Sequence, residues 1–67
     1  MTRDEFTNWM KDLSRWRGKS SYQRQGQWAM NHLPHQVGAD ITLNYPTLDC
    51  FYNDNVLADL ISFLEPK

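Results

Sequence analysis

The residues best suited to recognising another molecule lie between positions 24 and 31. Arg24, Gln27 and Asn31 are spaced i, i+3 and i+7, so on an α-helix they fall within about 60° of one another. Trp28 flanks this polar stripe, away from the apolar side of the same segment. Trp and Arg are the side chains most enriched at the energetic centres of protein interfaces. The pattern therefore predicts a surface that binds a partner.

A structural alternative turns the same residues inward. Trp28 would pack under the C-terminal loop, and Arg24 would pair with Asp49 or Asp54 to hold that loop against the helix. The resulting internal polar network would consist of Gln27, Asn31, Asp49 and Asp54. The two interpretations are compatible with each other, and both remain open at this point.

Histidine and cysteine raise the possibility of metal binding or nucleophilic chemistry. His32 and His35 have an i, i+3 spacing, but a metal site would need a third ligand from Cys50 or Asp49, and structural zinc sites use four N or S ligands. A Cys–His pair also lacks any sequence feature that would activate the thiol. A chain this short has little room for a substrate pocket of the usual few hundred Å³. We therefore expect no catalytic residue, no metal and no cofactor.

Basic residues cluster just before the polar stripe. Five of the seven Lys and Arg residues lie between positions 11 and 24. We call four of them, Arg15, Arg17, Lys19 and Arg24, the basic corner, and Trp28 is its expected apolar anchor. This corner suits an acidic protein surface or, alternatively, nucleic-acid phosphates. The chain's pI near 6.0 argues against a dedicated nucleic-acid binder.

Helices must position these residues at the start of the chain. Arg3–Arg17 has apolar residues at helical spacing, and Thr2 and Glu5 form a capping box before it. A second helix is expected from about position 22 to Leu33, because Pro34 ends or kinks it. Gly26 falls on the apolar side of that helix and predicts the close approach of another element.

The rest of the chain has one clear element and one ambiguous region. The stretch 35–53 could contain a short helix or helical turn, with a weak strand candidate at 40–45 and Phe51 and Tyr52 as anchors. From position 56 to position 64 a wide apolar stripe predicts a last helix, capped by Asn53 or Asp54. The expected fold is all-α, a bundle of three main helices with one short extra helix or turn, forming a single domain over residues 1–67.

Length and composition exclude several classes of protein. Sixty-seven residues with a lone cysteine allow no internal disulfide and fit a reducing, cytoplasmic setting. No apolar run is long enough to span a membrane, and the polar N-terminus does not resemble a signal peptide. The net charge of −1 hides a polarity: residues 1–33 carry +3 and residues 34–67 carry −4. The basic corner could face the acidic half within the molecule or face a partner.

Three pieces of sequence occur together in a recognisable order. These pieces are the Arg-x-Gly-Gln run at 24–27, the Asn-x-Leu run at 31–33 and Asp-Cys-Phe-Tyr-Asn-Asp at 49–54. In this respect the chain resembles short phage and prophage proteins with an R-x-G-Q…N-x-L…D-P-F-Y-x-D pattern. Cys50 stands where that pattern often has Pro, and the region after Pro34 departs from the basic-Pro-Asp-Leu run typical of the group. The resemblance covers about residues 22–64.

The resemblance implies a phage-like accessory protein in a bacterial cell rather than a particular activity. Together with the small size, it predicts a non-catalytic module that binds a bacterial or phage protein complex and inhibits or redirects it. Antagonism of a defence system is the most concrete version. A small nucleic-acid-binding regulator using residues 11–24 is the alternative. We expect a monomer or a weak homodimer.

Overall fold

The computed structural model describes residues 1–18 and 23–66, and within them it contains α-helices and single turns of 3-10 helix but no strand. The α-helices are α1 (Arg3–Ser14), α2 (Gln25–Asn31), α3 (His35–Asn44) and α4 (Leu57–Leu64). Two 3-10 turns, Pro46–Leu48 and Asp54–Val56, connect α3 to α4. The predicted all-α class is confirmed. Lys19 of the basic corner lies outside the described residues.

Helix α1 begins as predicted and ends earlier than predicted. The Thr2 side chain accepts a hydrogen bond from the Glu5 backbone, and the Glu5 carboxylate accepts one from the Thr2 backbone. The expected end at Arg17 is wrong, because the helix stops at Ser14. Beyond it, the Trp16 backbone N–H bonds the Leu13 carbonyl, which is the tighter 3-10 pattern. The Trp16 indole then turns away to donate to the Gln23 carbonyl at 2.8 Å.

Indole N–H groups join the first part of the chain to the second. Trp9, which is 1% exposed, donates from α1 to the Ala29 carbonyl at 2.8 Å. Trp28 donates from α2 to the Asp12 carbonyl of α1, also at 2.8 Å. Because buried Trp needs a partner for its N–H, these bonds fix how α2 lies against α1.

Helix α2 is shorter than expected, because it starts at Gln25 rather than near position 22. Gly26, in its first turn, is buried and lies against the backbone of the segment around Cys50. The predicted close approach at Gly26 is therefore confirmed. A methyl group built on Gly26 would overlap the Cys50 carbonyl oxygen.

Helix α3 is the element that the sequence indicated least clearly. It runs for ten residues directly after Pro34, and the weak strand candidate at 40–45 is wrong. Pro34 fits before the first turn because the first N–H groups of a helix have no partner within the helix. Ile41 is 1% exposed and anchors α3 in the core.

The core draws side chains from every helix. Asn53 caps the turn before α4 by accepting a hydrogen bond from the Asn55 backbone, as predicted for one of the two candidates. The buried apolar residues are Trp9, Leu13, Ala29, Met30, Leu33, Ile41, Cys50, Leu57, Leu60 and Leu64. Phe51 packs against this core, but Tyr52 is 80% exposed, so the expectation that Tyr52 anchors the loop is wrong.

None of the helices in the described ranges combines the length and the apolar character needed to cross a lipid bilayer.

Candidate protein-binding surface

The start of α2 is joined to the segment 50–54 by hydrogen bonds between the Gly26 backbone and two side chains of that segment. The Gly26 N–H donates to Asp54 Oδ1 at 2.9 Å, and the Cys50 thiol donates to the Gly26 carbonyl at 3.3 Å. Both bonds require the close approach that only a glycine allows at this position. The junction therefore brings the Arg-x-Gly-Gln run at 24–27 into contact with the Asp-Cys-Phe-Tyr-Asn-Asp run at 49–54.

Arg24 reaches this junction by a different route from the one expected. Its Nη2 donates to the Phe51 carbonyl at 3.3 Å, and its guanidinium carbon lies 5.9 Å from the centre of the Tyr52 ring. Asp49 Oδ1 instead accepts the Phe51 N–H at 2.9 Å, while Asp54 accepts from Gly26. The hypothesis that Arg24 forms an ion pair with Asp49 or Asp54 is therefore wrong. Both carboxylates bond backbone N–H groups, and Arg24 stays exposed beside an exposed ring.

The other members of the expected polar network are not joined to it. Within the described residues, the side chains of Gln27 and Asn31 make no hydrogen bond to the two carboxylates. Gln27 is half-buried and Asn31 is exposed. The structure thus brings Asp49 and Asp54 to the junction and leaves the two amides outside it.

Trp28 is held by contacts within the molecule. Besides its bond to Asp12, its ring stacks on His32 with 4.1 Å between ring centroids. His32 Nδ1 lies 2.8 Å from the Trp28 carbonyl oxygen, so the imidazole is itself fixed against the helix. Trp28 is half-buried and packs against the core. Its indole N–H therefore bonds α1, whereas the structural alternative placed Trp28 under the C-terminal loop.

Two arginines of the basic corner, Arg15 and Arg17, lie at the end of α1. Arg15 forms an ion pair with Asp12 at 3.4 Å, and its side chain is 74% exposed. Arg17 donates to the carbonyls of Ser14 and Trp16 at 3.1 and 3.4 Å. Such contacts suit the negative end of a helix dipole. In the part of the chain that the structure describes, no ion pair joins the +3 half to the −4 half.

A groove runs between α3 and the segment 49–52, next to the junction. Its volume is about 590 Å³, so the expectation that the chain has little room for a pocket of a few hundred Å³ is wrong. We call it the Leu43–Tyr52 groove after two exposed apolar residues that line it. Leu43 is 78% exposed and Tyr52 is 80% exposed. Its apolar lining also includes Met30, Leu33, Ala39 and Phe51, and its polar lining includes Asn31, His35, Thr42 and Asp49.

This groove contains residues that the site prediction did not include. Leu43 falls in the stretch for which the sequence left a short helix, a helical turn or a weak strand open, and Tyr52 was expected to be an anchor. One signal did point here: Asn31 and Leu33 of the Asn-x-Leu piece line the groove, as do Asp49, Phe51 and Tyr52 of the Asp-x-Phe-Tyr piece. Residues from two of the three pieces therefore line this groove.

Cys50 is fully buried at this junction, and its environment keeps it protonated. Burial raises the pKa of the Cys50 thiol to about 11, and nearby Asp49 and Asp54 add smaller effects in the same direction. A thiolate is the reactive form of cysteine, so this environment disfavours nucleophilic chemistry. Within the described residues, no three His, Cys, Asp or Glu side chains are grouped closely enough to hold a metal ion.

The geometry shows a structural junction with a groove beside it. The junction consists of Gly26, Cys50 and Asp54, with Arg24 and Asp49 holding the adjoining Phe51 backbone. A scan against protein-family models, a search of curated proteins and a search of solved structures each returned no match.

Proposed function

We propose that the chain is a small non-catalytic interaction module that binds a bacterial or phage protein complex and inhibits or redirects it, in the cytoplasm of a bacterial cell. Antagonism of a bacterial defence system is the most specific form of this proposal. The support comes from the Leu43–Tyr52 groove together with the residue pattern that lines it.

One observation carries the proposal. Among the described residues, the two most exposed large apolar side chains are Leu43 and Tyr52, and both border the same groove. Most of the other large apolar residues in the described ranges are buried or half-buried. Apolar side chains gathered at a groove, rather than scattered singly, mark an interaction site on a soluble domain. Arg24 beside Tyr52 adds a cation at the edge, and Arg and Tyr are both enriched at interface centres.

Only part of the predicted basic corner lies close to the groove. Arg24 lies on the side of the groove, whereas Arg15 and Arg17 lie at the end of α1. Trp28 lies between them, with its ring stacked on His32. A partner that covers the groove and reaches the corner would contact Tyr52 and Arg24 first. Arg15, Arg17 and Trp28 would then contribute at the margin of the contact; Lys19 lies outside the described residues.

The experiment is capture of a partner from a bacterial lysate with variants that separate the groove from the rest of the surface. Leu43→Ser and Tyr52→Ser each remove one exposed apolar side chain without opening the core. Both variants should lose the partner that the wild-type chain retains, while the exposed control Asn8→Ser on α1 should keep it. A partner retained equally by all four proteins would contradict the proposal.

Binding of nucleic acid is the second candidate, favoured by the exposed arginines. Arg17 and Arg24 use carbonyl oxygens rather than carboxylates, so their charges are not neutralised by the contacts seen. A nucleic-acid binder should shift labelled DNA or RNA at low salt and lose affinity steeply as salt rises. Arg17→Gln and Arg24→Gln should weaken that shift. Absence of any shift at low salt would remove this candidate.

A further inference from the structure

A second groove lies on the other side of α3. Residues His35, Ala39 and Leu43 face the Leu43–Tyr52 groove, whereas Val37 and Ile41 face this one. Helix α3 is therefore a ridge with a groove on each flank. The two surfaces can be altered independently of each other.

The second groove has a mixed lining of apolar and polar side chains, with an aromatic pair at its edge. Its volume is about 260 Å³, and its lining includes Met1, Val37, Ile41, Phe63 and Leu64. The Phe63 ring, 48% exposed, lies 4.8 Å from the ring of Tyr45, which is 41% exposed. We call this surface the Phe63 groove. Small-molecule pockets are typically about 300–1,000 Å³, so this groove suits one or two side chains of a protein better than a free ligand.

Carboxylates predominate around the Phe63 groove, whose lining also includes Met1 with its N-terminal ammonium group. Asp40 lines the groove, and its Oδ1 accepts a hydrogen bond from the Asn44 side chain, which fixes the carboxylate. Asp59 lies one turn before Phe63 on α4, and Glu65 follows Leu64. All three carboxylates are exposed. No described cation forms an ion pair with any of them.

We infer that the Phe63 groove docks a basic amphipathic segment of a protein partner. An apolar side chain of that segment enters the groove beside Phe63, and Lys or Arg residues one turn away face Asp40 and Asp59. Complementary potentials of this kind select the partner and speed its association. The groove is distinct from the Leu43–Tyr52 groove, so this inference does not depend on the proposed function.

Two designed peptides test the inference on the full chain. Both are amphipathic helices of about 18 residues, roughly 27 Å long, with the same leucines, and they carry either lysine or glutamate on the polar face. Anisotropy of labelled peptide measures affinity at about 0.1 M and about 1 M salt, where the screening length falls from about 10 Å to about 3 Å. The lysine peptide should bind at least about tenfold more tightly than the glutamate peptide at the lower salt, corresponding to about 1.4 kcal/mol.

Variants assign the binding to this groove. Phe63→Ser should weaken the lysine peptide about tenfold, whereas Leu43→Ser, in the other groove, should leave its affinity unchanged. The double variant Asp40→Asn with Asp59→Asn keeps both side chains polar and does not touch the core, so it serves even if Phe63→Ser unfolds. In that variant, the affinity for the lysine peptide should depend much less on salt concentration than in the wild type.

Three results would overturn the inference. The first is equal affinity for the two peptides, and the second is a loss of affinity in Leu43→Ser as large as in Phe63→Ser. The third is self-association of the chain that disappears in Phe63→Ser when measured by sedimentation, because a second copy would then be the occupant. Capture of a partner through the Leu43–Tyr52 groove would stand in all three cases.

Discussion

At the scale of single residues, Gly26 determines whether α2 and the segment 50–54 can meet. Its backbone N–H bonds Asp54 and its carbonyl accepts from Cys50, so both of its polar groups serve the junction. The sequence predicted that some element would approach Gly26 closely. It could not identify that element, because only the fold brings Cys50 next to a residue 24 positions earlier.

Gly26→Ala should destabilise the protein strongly. The new methyl would overlap the Cys50 carbonyl and lie 2.8 Å from Asp54 Oδ1, so backbone must move. We expect a loss of at least about 2 kcal/mol in the free energy of unfolding, measured by urea denaturation. Because total stability for this size is about 3–10 kcal/mol, a loss of this magnitude removes a large part of it. A loss below half a kcal/mol would show that the junction is looser than described.

Trp28 joins α2 to α1, so we expect its substitution to lower the free energy of unfolding more than it weakens the binding of a partner. Trp28→Phe keeps an aromatic ring for the stack on His32 but leaves the Asp12 carbonyl without the indole donor. We expect a loss of about 1–2 kcal/mol in the free energy of unfolding. Unchanged stability together with loss of a captured partner would instead favour the prediction that Trp28 is an interface anchor.

Cys50 makes stability depend on pH in the alkaline range. Below about pH 9 the thiol is protonated in the folded and the unfolded chain, so it contributes nothing to the pH dependence. Above that, the unfolded chain releases the proton first, because burial raises the pKa of the folded thiol to about 11. Stability should therefore fall between about pH 9 and pH 11, by an amount on the order of 2 kcal/mol.

Denaturation at several pH values checks this prediction, with Cys50→Ala as the comparison. The relevant quantity is the difference in the free energy of unfolding between the two proteins. That difference should shrink as pH rises, since only the wild type carries the thiol. A constant difference from pH 8 to pH 11 would contradict the buried, protonated thiol.

At the scale of elements, the helices predicted well are those whose signals are local. The capping box at Thr2 and Glu5 marks the start of α1, and the apolar stripe from Val56 to Leu64 marks α4. The end of α1 was missed because Trp16 leaves the helix to bond Gln23, a contact with a residue seven positions later. Helix ends that depend on tertiary contacts are not encoded in local spacing.

Helix α3 shows the opposite case, a helix with a weak local signal. Gly38, Thr42 and Asn44 have low helix propensity, and Val37 and Ile41 also suit strands. In the folded chain, the burial of Ile41 and the position of Pro34 just before the first turn of α3 outweigh these preferences. The grooves on either side of α3 could not be predicted, because their existence depends on this helix.

Gly38→Ala should stabilise α3. A methyl at this position would meet the Leu33 Cβ and the Met30 carbonyl oxygen at 3.9 Å, which is ordinary contact distance. Alanine is favoured over glycine in a helix interior by about 0.5–1 kcal/mol, and the free energy of unfolding should rise by that amount. This variant is also the matched control for Gly26→Ala. Destabilisation by Gly38→Ala would mean that α3 packs more tightly on α2 than the structure shows.

At the scale of the whole molecule, the charge polarity and the grooves are the properties that a partner would meet. The sequence left open whether the +3 half faces the −4 half internally. The described ion pair, Arg15 with Asp12, lies within the basic half, so the polarity remains on the surface. The site predicted from sequence includes Arg24, which lies beside Tyr52, but it does not include Leu43 or Tyr52. These two residues were missed because the exposure of an apolar residue follows from the fold rather than from its type.

The most direct test of the central claim is amide hydrogen exchange of the chain alone and in complex with its captured partner. Contact through the Leu43–Tyr52 groove predicts new protection in the peptides that cover residues 35–44 and 49–52. Little change is expected at the start of α1. Protection confined to residues 11–24, with 35–44 and 49–52 exchanging as in the free chain, would contradict the claim and assign binding to the basic corner.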